Sequence, residues 1–104
     1  VNTRAKGNRI QLKIIKQLRS EGWLVAKTER AGKFIKEKDL FGIGDLIAVK
    51  KIDNKTIIKI IQSTCGRPHT HKKYREFSDS FCTDYFKVEQ WVWIDRKGFK
   101  KHTY

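Results

Sequence analysis

The sequence predicts an α/β sandwich in which helices pack on one mixed sheet. Three observations predict it. Apolar residues recur at helical spacing in two separate segments. β-Branched runs of strand length fill the stretches between and after them. The resulting order is helix, three strands, helix, two strands, which suits a layered α/β fold. At 104 residues the chain is read as one domain spanning 1–104.

The first element is a helix from about Arg4 to Glu21. Ile10, Ile14, Ile15 and Leu18 fall on one face, Asn2 or Thr3 can cap the start, and Gly22 stands where a C-terminal cap belongs. Trp23 to Arg30 reads as a strand. Ala31 to Ile43 reads as a long loop with Gly32, Gly42 and a Lys33, Lys36, Lys38 run, and long ordered loops are usually functional. Gly44 to Lys51 and Thr56 to Thr64 are strands whose apolar runs suit a sheet covered on both faces. Asp53-Asn54 between them forms a short hairpin turn. A loop from Cys65 to His69 leads to a helix over Thr70–Cys82, with Tyr74, Phe77 and Phe81 on one face. Val88 to Ile94 is a strand carrying Trp91 and Trp93, both read as core. Asp95-Arg96-Lys97-Gly98 is a turn, and Phe99 to Tyr104 is a last edge strand.

Charge narrows the partner. Twenty-four Lys and Arg against 11 Asp and Glu leave a formal net charge of +13. Such an excess repels itself and is best accommodated beside a polyanion, so nucleic acid is the expected partner. The basic residues run through the whole chain, which favours a folded binding surface over a disordered arm. No apolar run approaches the roughly 18 residues of a membrane span, and no basic amphipathic helix with an aromatic face points to a lipid surface. Val1-Asn2-Thr3-Arg4 does not read as a signal peptide. Cys65 and Cys82 form neither a disulfide framework nor a zinc-binding spacing, so both are expected as reduced thiols in a cytoplasmic setting, on a nucleoid or in a virus-infected cell.

The hairpin carries the candidate chemistry. With its tip between Asp53 and Asn54, Val49 faces Ile58, Ile47 faces Ile60 and Asp45 faces Gln62. Strict alternation sends all six side chains to one face. A carboxylate and an amide are then expected at the open end of the hairpin, roughly 5 Å apart at Cβ. A slip of one residue would send Gln62 to the other face.

Gly44-Asp45-Leu46-Ile47-Ala48-Val49, a hairpin and Ile60-Ile61-Gln62 together resemble the core of the PD-(D/E)XK nuclease superfamily. The preceding helix with Lys6-Gly7, followed by Glu21-Gly22-Trp23-Leu24-Val25, resembles the entry to that core in archaeal Holliday-junction resolvases. The resemblance implies an αβββαβ restriction-endonuclease-like core with a mixed central sheet flanked by helices. It implies an endonuclease that uses Mg²⁺ or Mn²⁺ to hydrolyse DNA phosphodiester bonds, on branched or otherwise structured DNA. Asp45 matches the motif aspartate as a catalytic and metal-binding residue. Gln62 takes the place of the second acidic ligand. Gln11, four residues after Gly7, falls where resolvase-like members carry a helix glutamate. Asp39 is a further candidate for the cation. Thr64 stands where the family has a lysine, so Lys73 or Lys72 on the second helix is the candidate replacement. The resemblance also implies a homodimer, with Tyr104 and the last strand as the candidate contact.

Arg30, Lys33, Lys36 and Lys38 before Asp45, and Arg67, Lys72, Lys73 and Arg75 after Gln62, are the expected phosphate contacts. Two other readings stay open. The absent motif lysine and second acid suit a non-catalytic nucleic-acid-binding domain on the same fold. His69 or His71 suits a metal-independent ribonuclease.

Overall fold

The computed structural model describes residues 3–28 and 40–104. Seven elements follow one another: α1 (Thr3–Ser20), β1 (Leu24–Lys27), β2 (Leu46–Ile52), β3 (Lys55–Cys65), α2 (His71–Phe81), β4 (Phe86–Ile94) and β5 (Gly98–Thr103). The strands form one sheet in the order β1-β2-β3-β4-β5. All neighbours are antiparallel except β3 and β4, which are parallel and joined by the α2 crossover. The expected α/β architecture with a mixed sheet is therefore present. The expected end of the first strand at Arg30 lies outside the described residues, as do Lys33, Lys36, Lys38 and Asp39. The fourth strand starts at Phe86, two residues before its expected start.

Local chemistry explains the joints. After α1, Gly22 adopts φ +92, the Trp23 amide donates to the Leu18 carbonyl and the Gly22 amide to the Arg19 carbonyl. These are the two bonds of a Schellman cap, and Trp23 and Leu18 bury together in the core beneath it. The β2–β3 hairpin turns on Asp53 (φ 51) and Asn54 (φ 64), two residue types that tolerate the left-handed region of a primed turn. Its register is the expected one, with Val49 opposite Ile58 and Ile47 opposite Ile60.

The two sheet faces carry separate cores. Ile10, Ile14, Ile15 and Leu18 of α1 pack with Trp23, Val25, Leu46, Ala48, Ile61 and Trp91. Ile43, Ile60, Tyr74 and Val88 form the second core, with Phe77, Phe86 and Tyr104 against it. Ile60 and Ile61 are adjacent in β3 yet belong to different cores, so α1 covers one face and α2 the other. Trp91 is fully buried, as expected, and Trp93 is half-buried at the rim. Phe81 continues the apolar line of α2 but is exposed.

Candidate functional site

Asp45 stands at the entry to β2, and its placement departs from the expected alternation. Its amide donates to the Ile61 carbonyl at 3.0 Å, while Leu46 is the ladder partner of Ile61. Two residues thus oppose one, the arrangement of a β-bulge, a feature found disproportionately beside active sites. Gly44 makes the approach possible. A Cβ there would lie 2.4 Å from Ile60 Cγ2 and 2.8 Å from the Ile61 carbonyl oxygen. The bulge turns the Asp45 carboxylate toward α1. Oδ2 accepts from Gln11 Nε2 at 2.7 Å and from Ser63 Oγ at 2.6 Å, and Oδ1 accepts from the Ser63 amide at 3.0 Å.

This corrects the expected Asp45–Gln62 pair. Gln62 alternates with Ile61 and Ser63, so it lies on the α2 face, where Nε2 donates to the Ser63 carbonyl at 3.1 Å. The broken alternation at the bulge is the physical reason: a regular register holds through β2 but not at the residue before it. Of the expected metal ligands, the structure brings Asp45 and Gln11 together and leaves Gln62 apart. Asp39 lies outside the described residues. Thr64 is buried. Lys73 reaches from α2 to the turn before β2, where its ammonium donates to the Gly42 carbonyl at 2.9 Å, on the face away from the Asp45 carboxylate. Lys72 is exposed on that same helix, so neither lysine is brought to Asp45. Arg67 and Arg75 are exposed, as phosphate contacts must be, whereas Arg30, Lys33, Lys36 and Lys38 fall outside the described residues.

Ser63 is the site residue that sequence reasoning missed. A glycine at a strand entry is a recognised sign of a bulge, and a bulge at Asp45 shifts its partner from Gln62 to Ser63.

Above this cluster lies a cleft of about 100 Å³ lined by Gly7, Ile10, Ser63, Thr64 and Cys65. Lys6 stands at its rim. Its ammonium donates to Asp95 Oδ2 at 3.1 Å, and the pair raises the lysine pKa and lowers that of the aspartate, chiefly through this bond. The donor chemistry fits a hard divalent cation. Asp45, Gln11 and Ser63 all carry side-chain oxygens, and Gln11 Oε1 is buried without a hydrogen-bond partner. Their combined formal charge is that of one carboxylate. Among the described residues no group of three or more His, Cys, Asp and Glu side chains could hold a metal.

A second polar cluster occupies the α2 face. The fully buried Gln90 accepts from the His69 amide at 2.8 Å and donates to Tyr104 Oη at 2.8 Å, and Tyr104 Oη in turn bonds His71 Nδ1. His102 lies edge-on to His71 with ring centroids 5.0 Å apart. Burial holds His102 below its usual pKa of 6.5, with the charges of His71 and Lys100 adding to the effect. His69 thus contributes its backbone here, and the His71 ring nitrogen that faces Tyr104 is already engaged.

No family model and no curated protein matches this chain. Among the described residues, no helix is long and apolar enough to cross a membrane.

Proposed function

We propose that this protein binds nucleic acid and hydrolyses its phosphodiester bonds at the Asp45 cleft with a divalent cation. The observation that carries the reading is the buried Asp45 carboxylate, aimed by a bulge at Gln11 and Ser63 beneath a cleft in a chain of net charge +13. Burying a carboxylate is costly unless hydrogen bonds compensate, and such groups concentrate at functional sites. The resemblance of Gly44 to Val49 and the hairpin after it to the PD-(D/E)XK superfamily, and of the segments around Lys6-Gly7 and Glu21 to Val25 to archaeal Holliday-junction resolvases, supports the same reading. DNA is its expected substrate.

Asp45, Gln11 and Ser63 would hold Mg²⁺ or Mn²⁺, with substrate phosphate supplying the charge that a single carboxylate lacks. When bound, the cation lowers the pKa of a coordinated water and offsets charge on the phosphate oxygens. Ser63 and Gln11 orient the carboxylate, and Lys6 at the rim adds positive charge where the phosphate enters. Arg67 and Arg75 hold the backbone beyond the cleft. A homodimer through the β5 edge belongs to this reading and is checked by sedimentation.

Incubating labelled duplex, branched and single-stranded DNA with Mg²⁺ or Mn²⁺ tests the proposal. Cleavage is expected to stop with chelator and to fall at least about 100-fold in Asp45→Asn. Equal cleavage by wild type and variant would trace the activity to a contaminant.

The neutrality of Gln11 and Ser63, together with Thr64 in place of a lysine, favours a second reading: a nucleic-acid-binding domain on this fold that does not cut. It predicts binding that chelator leaves unchanged and no metal-dependent cleavage of any of the three DNA forms.

A further inference from the structure

Adjoining the cleft over Ser63, α1 and the β4–β5 turn line a groove of about 500 Å³, bounded by Lys6, Arg9, Ile10, Lys13, Trp93 and Asp95. Lys6, Arg9 and Lys13 are spaced three and four residues apart, so they form a single basic stripe along one edge. The opposite edge is aromatic and held in place. Trp93 Nε1 donates to Asp95 Oδ1 at 2.9 Å, and its ring meets Phe99 edge-on with centroids 5.1 Å apart. Lys13 Nζ sits 5.2 Å from the centre of the Trp93 ring and covers its α1-facing side, and the ring lines the groove. Asp95 is neutralised by Lys6 and serves to orient both that lysine and the indole.

A row of cations facing an anchored aromatic ring is the pattern that binds single-stranded nucleic acid, phosphates on one side and a base stacked on the other. In a duplex the base faces are already stacked, so the ring would have nothing to receive. The volume falls within the ~300–1,000 Å³ of small-ligand sites, suited to a nucleoside rather than to a double helix. The groove also shares Ile10 with the cleft over Ser63, so a strand lying in it leads toward Asp45.

We infer that this groove binds an unpaired nucleic-acid strand, stacking one base on Trp93 and placing its phosphates against Lys6, Arg9 and Lys13. The incoming base takes the place of the Lys13 ammonium on the ring, and that ammonium moves to a phosphate. The inference rests on the nucleic-acid reading above and names which form of the polymer this part of the surface selects.

The test uses the full chain in chelator, so that nothing is cut. Oligothymidylate, oligouridylate, a blunt DNA duplex and the same duplex with a single-stranded tail are titrated by fluorescence anisotropy. The tailed duplex and a free strand are expected to bind about tenfold tighter than the blunt duplex, and Trp93→Leu to remove that difference while changing blunt-duplex affinity less than about twofold. The two free strands distinguish DNA from RNA as the source of the unpaired segment. Because Trp93 also packs on Phe99, wild-type protein is additionally irradiated with 5-iodouracil-substituted oligothymidylate, and the crosslink is expected at Trp93. Equal affinity for blunt and tailed duplex, or a crosslink confined to α2 and the loop before it, overturns the groove assignment while leaving nucleic-acid binding intact. Failure of all four ligands to bind overturns both.

Discussion

Gly44 and Asp45 work as a unit. The glycine lets the backbone run against Ile60 and Ile61, and the aspartate uses the resulting bulge to reach Gln11 on α1. Gly44→Ala would drive a methyl group into a backbone carbonyl, which cannot yield as a flexible side chain would. We expect a loss of roughly 2–3 kcal/mol in urea unfolding, and a loss of any Asp45-dependent activity with it. A variant with wild-type stability would show that the bulge relaxes at little cost. The same residue pair marks where sequence reading stopped. Asp45 stood out, since the hairpin register places it at the open end of the strands and Gly44-Asp45 opens the segment that resembles the nuclease core. Its partner did not, because alternation assigns Gln62 and only the bulge assigns Ser63.

Two glycines on or just beyond α1 separate the roles an element can give the same residue. Gly22 needs its left-handed backbone for the cap, so Gly22→Ala should cost about 1–2 kcal/mol. Gly7 sits within the helix, and a Cβ there would have nothing within 4 Å. Gly7→Ala should therefore stabilise the protein by up to about 1 kcal/mol. That methyl group would also intrude on the cleft above Ser63, so the reading of that cleft predicts a stability gain coupled to weaker cleavage. Thermal melts of both variants beside the DNA assay check this, and opposite signs for the two substitutions are the expected result. α1, α2 and the β2–β3 hairpin were legible from periodicity, caps and turn residues, because each is set by local chemistry. The exposure of Phe81 was not, since it depends on how far α2 overhangs the sheet.

At the scale of the whole molecule, the +13 charge makes salt the decisive variable for binding. Each duplex phosphate neutralised should add about −0.9 to the slope of log affinity against log salt. Arg67→Ala or Arg75→Ala is expected to shallow that slope by about one contact's worth, and an unchanged slope would remove that residue from the interface. Stability should respond to pH through His102. Its pKa is lowered in the fold, so the unfolded chain binds the proton more tightly. The His102 contribution is fully present above pH 6.5 and is lost as pH falls from there through the lower folded value. Urea midpoints at neutral and mildly acidic pH should diverge in wild type and converge in His102→Asn. If the variant retains the full pH difference, other groups are responsible.

Composition and periodicity sufficed for an α/β domain with a mixed sheet, two helices, a β2–β3 hairpin in its observed register and an expected polyanionic partner. These follow from short-range rules: helical and strand repeats, turn-forming residues, and charge that has to stay in water. The pairing of Asp45 with Gln11 and Ser63, the placement of Lys73 on the far face and the groove between α1 and Trp93 emerged only when the elements packed. Each joins residues far apart in the chain, and each depends on a departure from regular geometry or on the docking of a helix, neither of which leaves a periodic trace in the sequence.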